Sequence, residues 1–346
     1  MFFRSKKKQV VSLDIGSSLI KVVQLEHNKD EIKLTNYRMM SLLPDAIVDG
    51  EIMDRLAVVD TIRDLMQQAG IKSKEVVTSV YGRSVIIKRI KVDRCSPEEL
   101  SESIRFEAES YVPYQIDEVY VDFQILDDTQ AGAQMDVLLV AAKKDYVNNY
   151  TALIREAGLI PKRVDVAEFA IQNAYEYNYS MNNEQTIAFL NIGASLTTVN
   201  IVRGGVSYFT RDIPYAGNMI ISALQKNIGL NHDDASGILR GEEKPGIDTE
   251  AVEAVVSTVA KDIALEINRS FAAIKSGGAD INKIDRLLLS GGCAISPGLK
   301  VYFENNLNVS VEILNPVKRL DVSNKPDITD NSHIFTLSIG LALIVP

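Results

Sequence analysis

The chain repeats itself. Residues 11–25 read VSLDIGSSLIKVVQL and residues 188–202 read AFLNIGASLTTVNIV. Set side by side without a gap, they share Leu13/Leu190, Ile15/Ile192, Gly16/Gly193, Ser18/Ser195, Leu19/Leu196 and Val22/Val199. Each copy reads as an apolar strand, a glycine-serine turn and a second β-rich strand, which is a hairpin. Two such hairpins, each opening one half of the chain, predict a duplicated α/β architecture with a cleft between the copies. The length of 346 residues suits this division, because a domain takes about 150 residues.

The segments between the hairpins alternate strand and helix patterns. Residues 32–37, 75–80, 84–92, 117–126 and 135–142 have strand character. Residues 51–69 carry Ile52, Leu56, Val59, Ile62, Leu65 and Met66 at helical spacing and end at Gly70. Ser96-Pro97-Glu98-Glu99 opens a helix with a capping serine, an early proline and acids at the positive end of the dipole. That helix is expected to reach about residue 110, before Pro113. Residues 127–134 read as a loop. Helices are expected over 144–157 and from Asp165 to about 179. In the second half, strands 186–191, 196–202 and 206–211 form a meander, followed by helices 218–227, 233–239 and 249–276. Residues 287–289 are a short buried strand running into Ser290-Gly291-Gly292. Ser296-Pro297-Gly298 opens another helix, and residues 332–344 form a final apolar one.

Charge and composition narrow the function classes. The net charge of −9 opposes a general nucleic-acid binder, which needs a basic face for phosphates. The two cysteines, Cys95 and Cys293, and the three histidines, His27, His232 and His333, make neither a disulfide framework nor a zinc cluster. No apolar run reaches the roughly 20 residues of a membrane span. The basic start, with Arg4, Lys6, Lys7 and Lys8, reads as a solvated leader, and weak attraction to an anionic membrane surface is its alternative.

The turns carry the chemistry. Glycine lets a backbone bend approach a ligand, and neighbouring hydroxyls add donors. Two bends facing across a cleft would grip a triphosphate from both sides. Asp14, at a strand end, could orient water around Mg2+, an ion held by few carboxylates and much water. Lys21 could reach phosphate.

These segments together resemble the actin-like ATPases. Residues 11–25 resemble the first phosphate motif, 164–175 the first connecting segment, 188–202 the second phosphate motif, 287–299 (LLLSGGCAISPGL) the adenosine motif, and 333–343 (HIFTLSIGLAL) the second connecting helix. The resemblance implies an actin-like, ribonuclease H-like pair of α/β domains around a nucleotide cleft, binding ATP with Mg2+. It assigns one lobe to residues 1–80, completed by 143–182 and 330–346. The second lobe takes 183–215 and 263–329, with a small subdomain at 216–262. A small α+β subdomain is inserted at 81–142. Gly16, Ser17, Ser18 and Lys21 would hold one side of the phosphates, and Asn191, Gly193, Ala194 and Thr197 the other. Gly291, Gly292 and Ala294 would border the adenosine, with Arg240, Glu266 and Arg269 against base and ribose.

Within that superfamily the likeness is to the PilM family of type IV pilus assembly proteins, related to FtsA. The acidic-aromatic run from Arg105 to Tyr114 and on to Asp122 resembles the family's inserted subdomain. Neither a chaperone-type substrate domain nor the membrane-binding helix of FtsA appears before Pro346, which suits the pilus branch. The resemblance implies a cytoplasmic protein peripheral to the bacterial inner membrane. Its partner would be the N-terminal tail of a PilN-like protein, with other platform proteins and motor ATPases as further partners. Ile104, Phe106, Tyr111, Val112 and Tyr114 are the candidate groove for an extended apolar tail. Aromatic residues so spaced also suit a plain subdomain interior.

One residue departs from the family pattern. Its second phosphate motif begins Asp-Ile-Gly, whereas here it is Asn191-Ile192-Gly193. Asparagine accepts a hydrogen bond but brings no charge to Mg2+. The expectation is ATP binding with slow hydrolysis. The competing readings are a sugar or acyl kinase, for which the insert offers no sugar-binding constellation, and an FtsA- or MreB-like filament protein.

Overall fold

A computed structural model describes residues 8–29, 31–126, 132–180, 182–276, 281 and 283–345. The leader reading falls largely on residues 1–7 and the loop reading on 127–131, both outside the described residues.

Two five-stranded sheets carry the fold, and they are topological copies. In the first, the strands lie in the order Ile160–Val166, Glu75–Val80, Lys8–Ile15, Leu19–His27, Ile32–Ser41. In the second the order is Ser310–Ile313, Arg286–Ser290, Thr186–Ile192, Thr197–Arg203, Val206–Ile213. Each has an antiparallel three-strand meander joined to two parallel strands. Parallel neighbours need a crossover, and the helices supply it. The repeat visible in the sequence is therefore a repeat of whole sheets.

The alternation of side chains along each strand sends one face outward and one inward. On the first sheet, Val11, Leu13 and Ile15 pack outward with the helices Arg55–Gln68 and Lys144–Glu156. The inner faces of both sheets enclose two crossing helices, Ala167–Asn178 and Thr336–Leu343, around Val23, Ile171, Phe189, Leu288 and Ile339. These helices meet backbone to backbone. A Cβ on Gly340 would overlap the carbonyl of Ala170, so only glycine permits this crossing.

On the second lobe, the helices Gly217–Ile228, His232–Leu239 and the long Thr249–Ser276 share a single apolar core with the sheet. A three-stranded antiparallel sheet, Val85–Asp93, Gln134–Lys143 and Val119–Ile125, forms the insert with the helix Pro97–Ala108. That helix begins as its sequence predicts. Ser96 Oγ accepts from Glu99 N at 3.2 Å and Ser96 N donates to Glu99 Oε2 at 2.8 Å, a reciprocal cap.

Several elements differ from the sequence reading. The helix expected over 51–69 starts only at Arg55, after a two-residue hairpin, Ile47–Val48 with Glu51–Ile52. Residues 160–166 form a strand, and the final helix is broken into a 3-10 segment Pro326–Phe335 and the helix Thr336–Leu343.

Candidate functional site

The two repeated turns face each other at the same ends of the two central hairpins. Ile15 pairs with Ile20 and Ile192 with Thr197, leaving the same four-residue loop in both. Gly16 N donates to Leu19 O at 3.1 Å, and Gly193 N to Leu196 O at 3.0 Å. A Cβ would stand 2.8 Å from that carbonyl at Gly16 and 2.9 Å at Gly193. Glycine is needed here to close the loop on itself. The tips touch: Ser195 Oγ donates to Ser17 Oγ at 2.8 Å, and Asn218 Nδ2 donates to Ser195 Oγ at 3.3 Å.

Beneath these tips lies a cavity of about 320 Å3, within the size range of small-molecule sites. Of the residues singled out from the sequence, it brings together Asp14, Gly16, Ser17, Ser18, Lys21 and Asn191. It also takes in Gly193, Ala194, Arg240 and Gly292. Apolar side chains from Ile221, Leu239, Ile334 and Leu337 complete its wall. Three cations (Lys21, Arg83 and Arg240), hydroxyls, loop amides and an apolar wall form a set that suits a phosphorylated ligand with a flat apolar end.

The two halves differ in charge at equivalent positions. Asp14 and Lys21 face each other in the first hairpin register, as Asn191 and Thr198 do in the second. Lys21 Nζ lies 2.7 Å from Asp14 Oδ2, and Ser338 Oγ donates to the same oxygen at 3.3 Å. Asp14 is 3% exposed, so this ion pair keeps its carboxylate from being a lone buried charge. On the other side, Asn191 Oδ1 accepts from Ser290 Oγ at 3.2 Å. Among the described residues, no group of three His, Cys, Asp or Glu side chains could hold a metal alone. A Mg2+ ion fits beside Asp14 only as one carried by phosphates and water.

Other sequence candidates lie elsewhere. Thr197 is buried and donates to Tyr215 O at 2.7 Å, fixing the turn from below. Gly291, at φ +89°, lets its chain pass Ile192 O, and Ala294 is in the second-lobe core. Glu266 pairs with Arg211 at 2.6 Å and with Arg269, and neither Glu266 nor Arg269 lines the cavity. In the insert, Ile104 and Val112 are core residues, which removes both from any exposed groove. Phe106 is 75% exposed, and Tyr111 and Tyr114 are half-buried.

The cavity also gathers groups that sequence reasoning missed. Tyr81, Gly82, Arg83 and Ser84, which lead from the first lobe into the insert, are all part of its wall, as are Asp49, Gly50 and Glu51. Nearby, burial pushes the Glu168 carboxyl far above its ordinary range, and the neighbouring Asp212 adds to the effect. Asp212 is raised by burial too, against the opposing pull of Arg83. Glu168 Oε2 and Asp212 Oδ1 are buried without a hydrogen-bond partner among the described residues. Cys293 borders the cavity, with burial pushing its thiol up to about 12. Such a thiol holds its proton and is no nucleophile.

The sequence profile of the type IV pilus assembly protein PilM matches residues 12–345. The cell-division protein FtsA of Escherichia coli strain K12 is 24% identical over 262 residues. That match takes in 69% of this chain and 61% of FtsA, so the chain spans about three-fifths of that relative's length. A PilM–PilN type IV pilus biogenesis complex superposes with a TM-score of 0.84 at 24% identity, covering 97% of this chain and 98% of the other. MreB5 of Spiroplasma citri bound to ADP superposes at 0.52 with 11% identity, over 96% and 94% of the chains. The duplicated sheets, paired glycine turns and inserted subdomain are thus those of the actin-like fold, and the chain belongs to the PilM family of type IV pilus assembly proteins.

Proposed function

We propose that this protein is a nucleotide-responsive adaptor. It takes Mg-ATP in the cavity under the two glycine turns and grips the N-terminal tail of a PilN-like inner-membrane protein. The observation that carries the reading is the pair of matched turns meeting at Ser17 and Ser195 over that cavity. Gly16, Ser17 and Ser18 would hold the phosphates from one side, and Gly193 and Ala194 from the other. Lys21 and Arg240 would supply positive charge, and Asp14 would orient the water around Mg2+. ADP bound to the MreB5 relative supports a nucleotide in a cleft of this fold. Asn191 brings no charge to the ion, which favours occupancy over rapid turnover.

The complex of the PilM relative with PilN supports the partner. With Ile104 and Val112 in the core, the groove we propose runs where the insert meets the first lobe. There Tyr120 donates to Asn148 Oδ1 at 3.1 Å, and Tyr114 packs under Lys143. A second hollow of about 220 Å3, bounded by Gly50, Ile52, Arg55, Asn149 and Tyr150, lies on the same helix, and Met53 and Leu56 are 68% exposed close by in sequence. An extended apolar tail suits such a surface. Among the described residues no helix is long and apolar enough to cross a membrane. Peripheral attachment through the partner, on the cytoplasmic side, fits that.

The test is a titration of the full chain against the labelled tail peptide of its co-encoded PilN-like protein, with and without Mg-ATP. Saturable binding weakened by Tyr114→Ala and Tyr120→Ala supports the adaptor and its groove. No binding in either state removes the adaptor reading and brings a kinase or filament role forward.

A further inference from the structure

The segment that joins the first lobe to the insert is itself cavity wall. Strand Glu75–Val80 ends, Tyr81 to Ser84 pass along the cavity, and the insert strand Val85–Asp93 begins. The turn is tight: Val85 N donates to Gly82 O at 2.9 Å, and Gly82 has φ +86°. Tyr81 donates to Ile15 O at 3.3 Å, which anchors its start beside the first glycine turn. The return strand is fastened to its end, with Lys143 N donating to Ser84 O at 2.9 Å. A ligand in the cavity therefore touches the hinge of the subdomain proposed to bind the partner.

Arg83 stands at the centre of this hinge. Its guanidinium has no carboxylate within ion-pairing distance among the described residues, although it lines the cavity. Asp212, next to last in the second-lobe strand Val206–Ile213, is held down by that charge against the upward push of burial. The Arg83 backbone carbonyl accepts from Tyr114 Oη of the insert at 3.1 Å. One residue thus lines the ligand cavity and accepts the insert's hydrogen bond, and its charge reaches Asp212 of the second lobe. The same second-lobe strand meets the insert again where Arg89, paired with Asp136 at 2.6 Å, covers the Tyr208 ring at 4.6 Å.

We infer that Arg83 reads the charge of the bound nucleotide and passes it to the insert through Tyr114, so that the partner tail is held differently in the triphosphate and diphosphate states. This rests on the adaptor reading and adds its regulation. A guanidinium offers several fixed donors for phosphate oxygens and stays charged at any physiological pH. Attraction to the additional phosphate draws the guanidinium into the cavity, and its main chain carries the Tyr114 contact along. The two ligands are then coupled, and each must change the other's affinity by the same factor.

The experiment measures the affinity of the full chain for the tail peptide in saturating Mg-ATP and in saturating Mg-ADP. It uses wild type, Arg83→Gln, Arg83→Lys and Tyr114→Phe. Wild type is expected to separate the two states by about tenfold, a usual size for such coupling. Arg83→Gln and Tyr114→Phe should bring that ratio close to one, whatever the absolute affinities, while Arg83→Lys restores part of it. A merely structural role would weaken both states together and leave the ratio standing, which overturns the inference. A wild-type ratio of one with both ligands bound also overturns it, and the adaptor reading survives. Failure to bind either ligand removes both.

Discussion

Glu168 is a carboxylic acid held out of water. It lies at the start of a connecting helix, 4% exposed, with Asp212 as its charged neighbour. Burial, with Asp212 beside it, raises its pKa well above the ordinary carboxylate range, so the folded protein keeps a proton that the unfolded chain releases there. Stability is then lost as pH rises through that window. His333 has the opposite sign, because burial lowers it to about 4. Its contribution is whole above the usual histidine value and declines as pH falls toward 4. We expect Glu168→Gln to match wild type near pH 5 and to exceed it near pH 8 by on the order of 1–3 kcal/mol. Urea melts at the two pH values check this, and an equal difference at both would show that Glu168 titrates normally. The thiols allow a second prediction. Cys95 is half-buried and Cys293 fully so. A thiol reagent at pH 8 should label Cys95 in the native protein and reach Cys293 only in denaturant. Rapid labelling of Cys293 would contradict its burial. Nothing local marks Glu168, Asp212 or Arg83 in the sequence. Each acquires its role from a neighbour distant along the chain, whereas Gly16 and Gly193 announce themselves by recurring in matched surroundings.

At the scale of elements, the crossing of Ala167–Asn178 and Thr336–Leu343 is the least forgiving contact. A methyl group at Gly340 has no side chain to push aside, only the Ala170 backbone. Gly340→Ala should therefore cost about 3 kcal/mol or more, or yield insoluble protein, although alanine is the better helix former. An unchanged urea midpoint would mean that the helices separate easily. Which elements could be read beforehand follows from how they are covered. Glu75–Val80 is buried along nearly its whole length and reads as a strand at once. Ile160–Val166 lies at a sheet edge, with Pro161, Lys162 and Arg163 in its run, and only its partner's register reveals it. Proline and lysine are typical of edges, which hides them from propensity arguments. The start of Arg55–Gln68 was obscured because Ile52 continues the helical spacing, while the Asp54 cap accepting from Ala57 N at 3.0 Å sets the true boundary. The groove candidates split for a related reason. Aromatic and apolar residues at helical spacing fill an interior or an interface equally well, and burial alone separates Ile104 from Phe106.

For the whole molecule, the expectation is that ligand and shape are linked. The cavity wall draws on both lobes and on the insert hinge, so a ligand there favours one arrangement of all three. Mg-ATP at about 100 times its Kd should add about 2.7 kcal/mol to stability. That gain is read as a rise in melting temperature, and it should vanish in Gly16→Ala or Gly193→Ala, where the loop cannot close. A rise of equal size in both variants would place the nucleotide elsewhere. Steady-state turnover should stay well below about 1 s−1, the low end of ordinary enzymes, and brisk hydrolysis unchanged by Asn191→Ala would contradict the proposed role of that residue. The duplicated sheets were legible from one repeated hairpin, since its register dictates the strands around it. How the halves differ was legible too, in two letters: Asp14 and Lys21 stand where Asn191 and Thr198 stand in the other copy. A cleft built from two identical halves would admit a ligand in two senses, head-first or reversed, with equal ease. The Asp14–Lys21 pair, Arg240 and the insert hinge, each on one side alone, break that degeneracy. They give the cleft a polarity, which favours one direction for a bound molecule over its reverse.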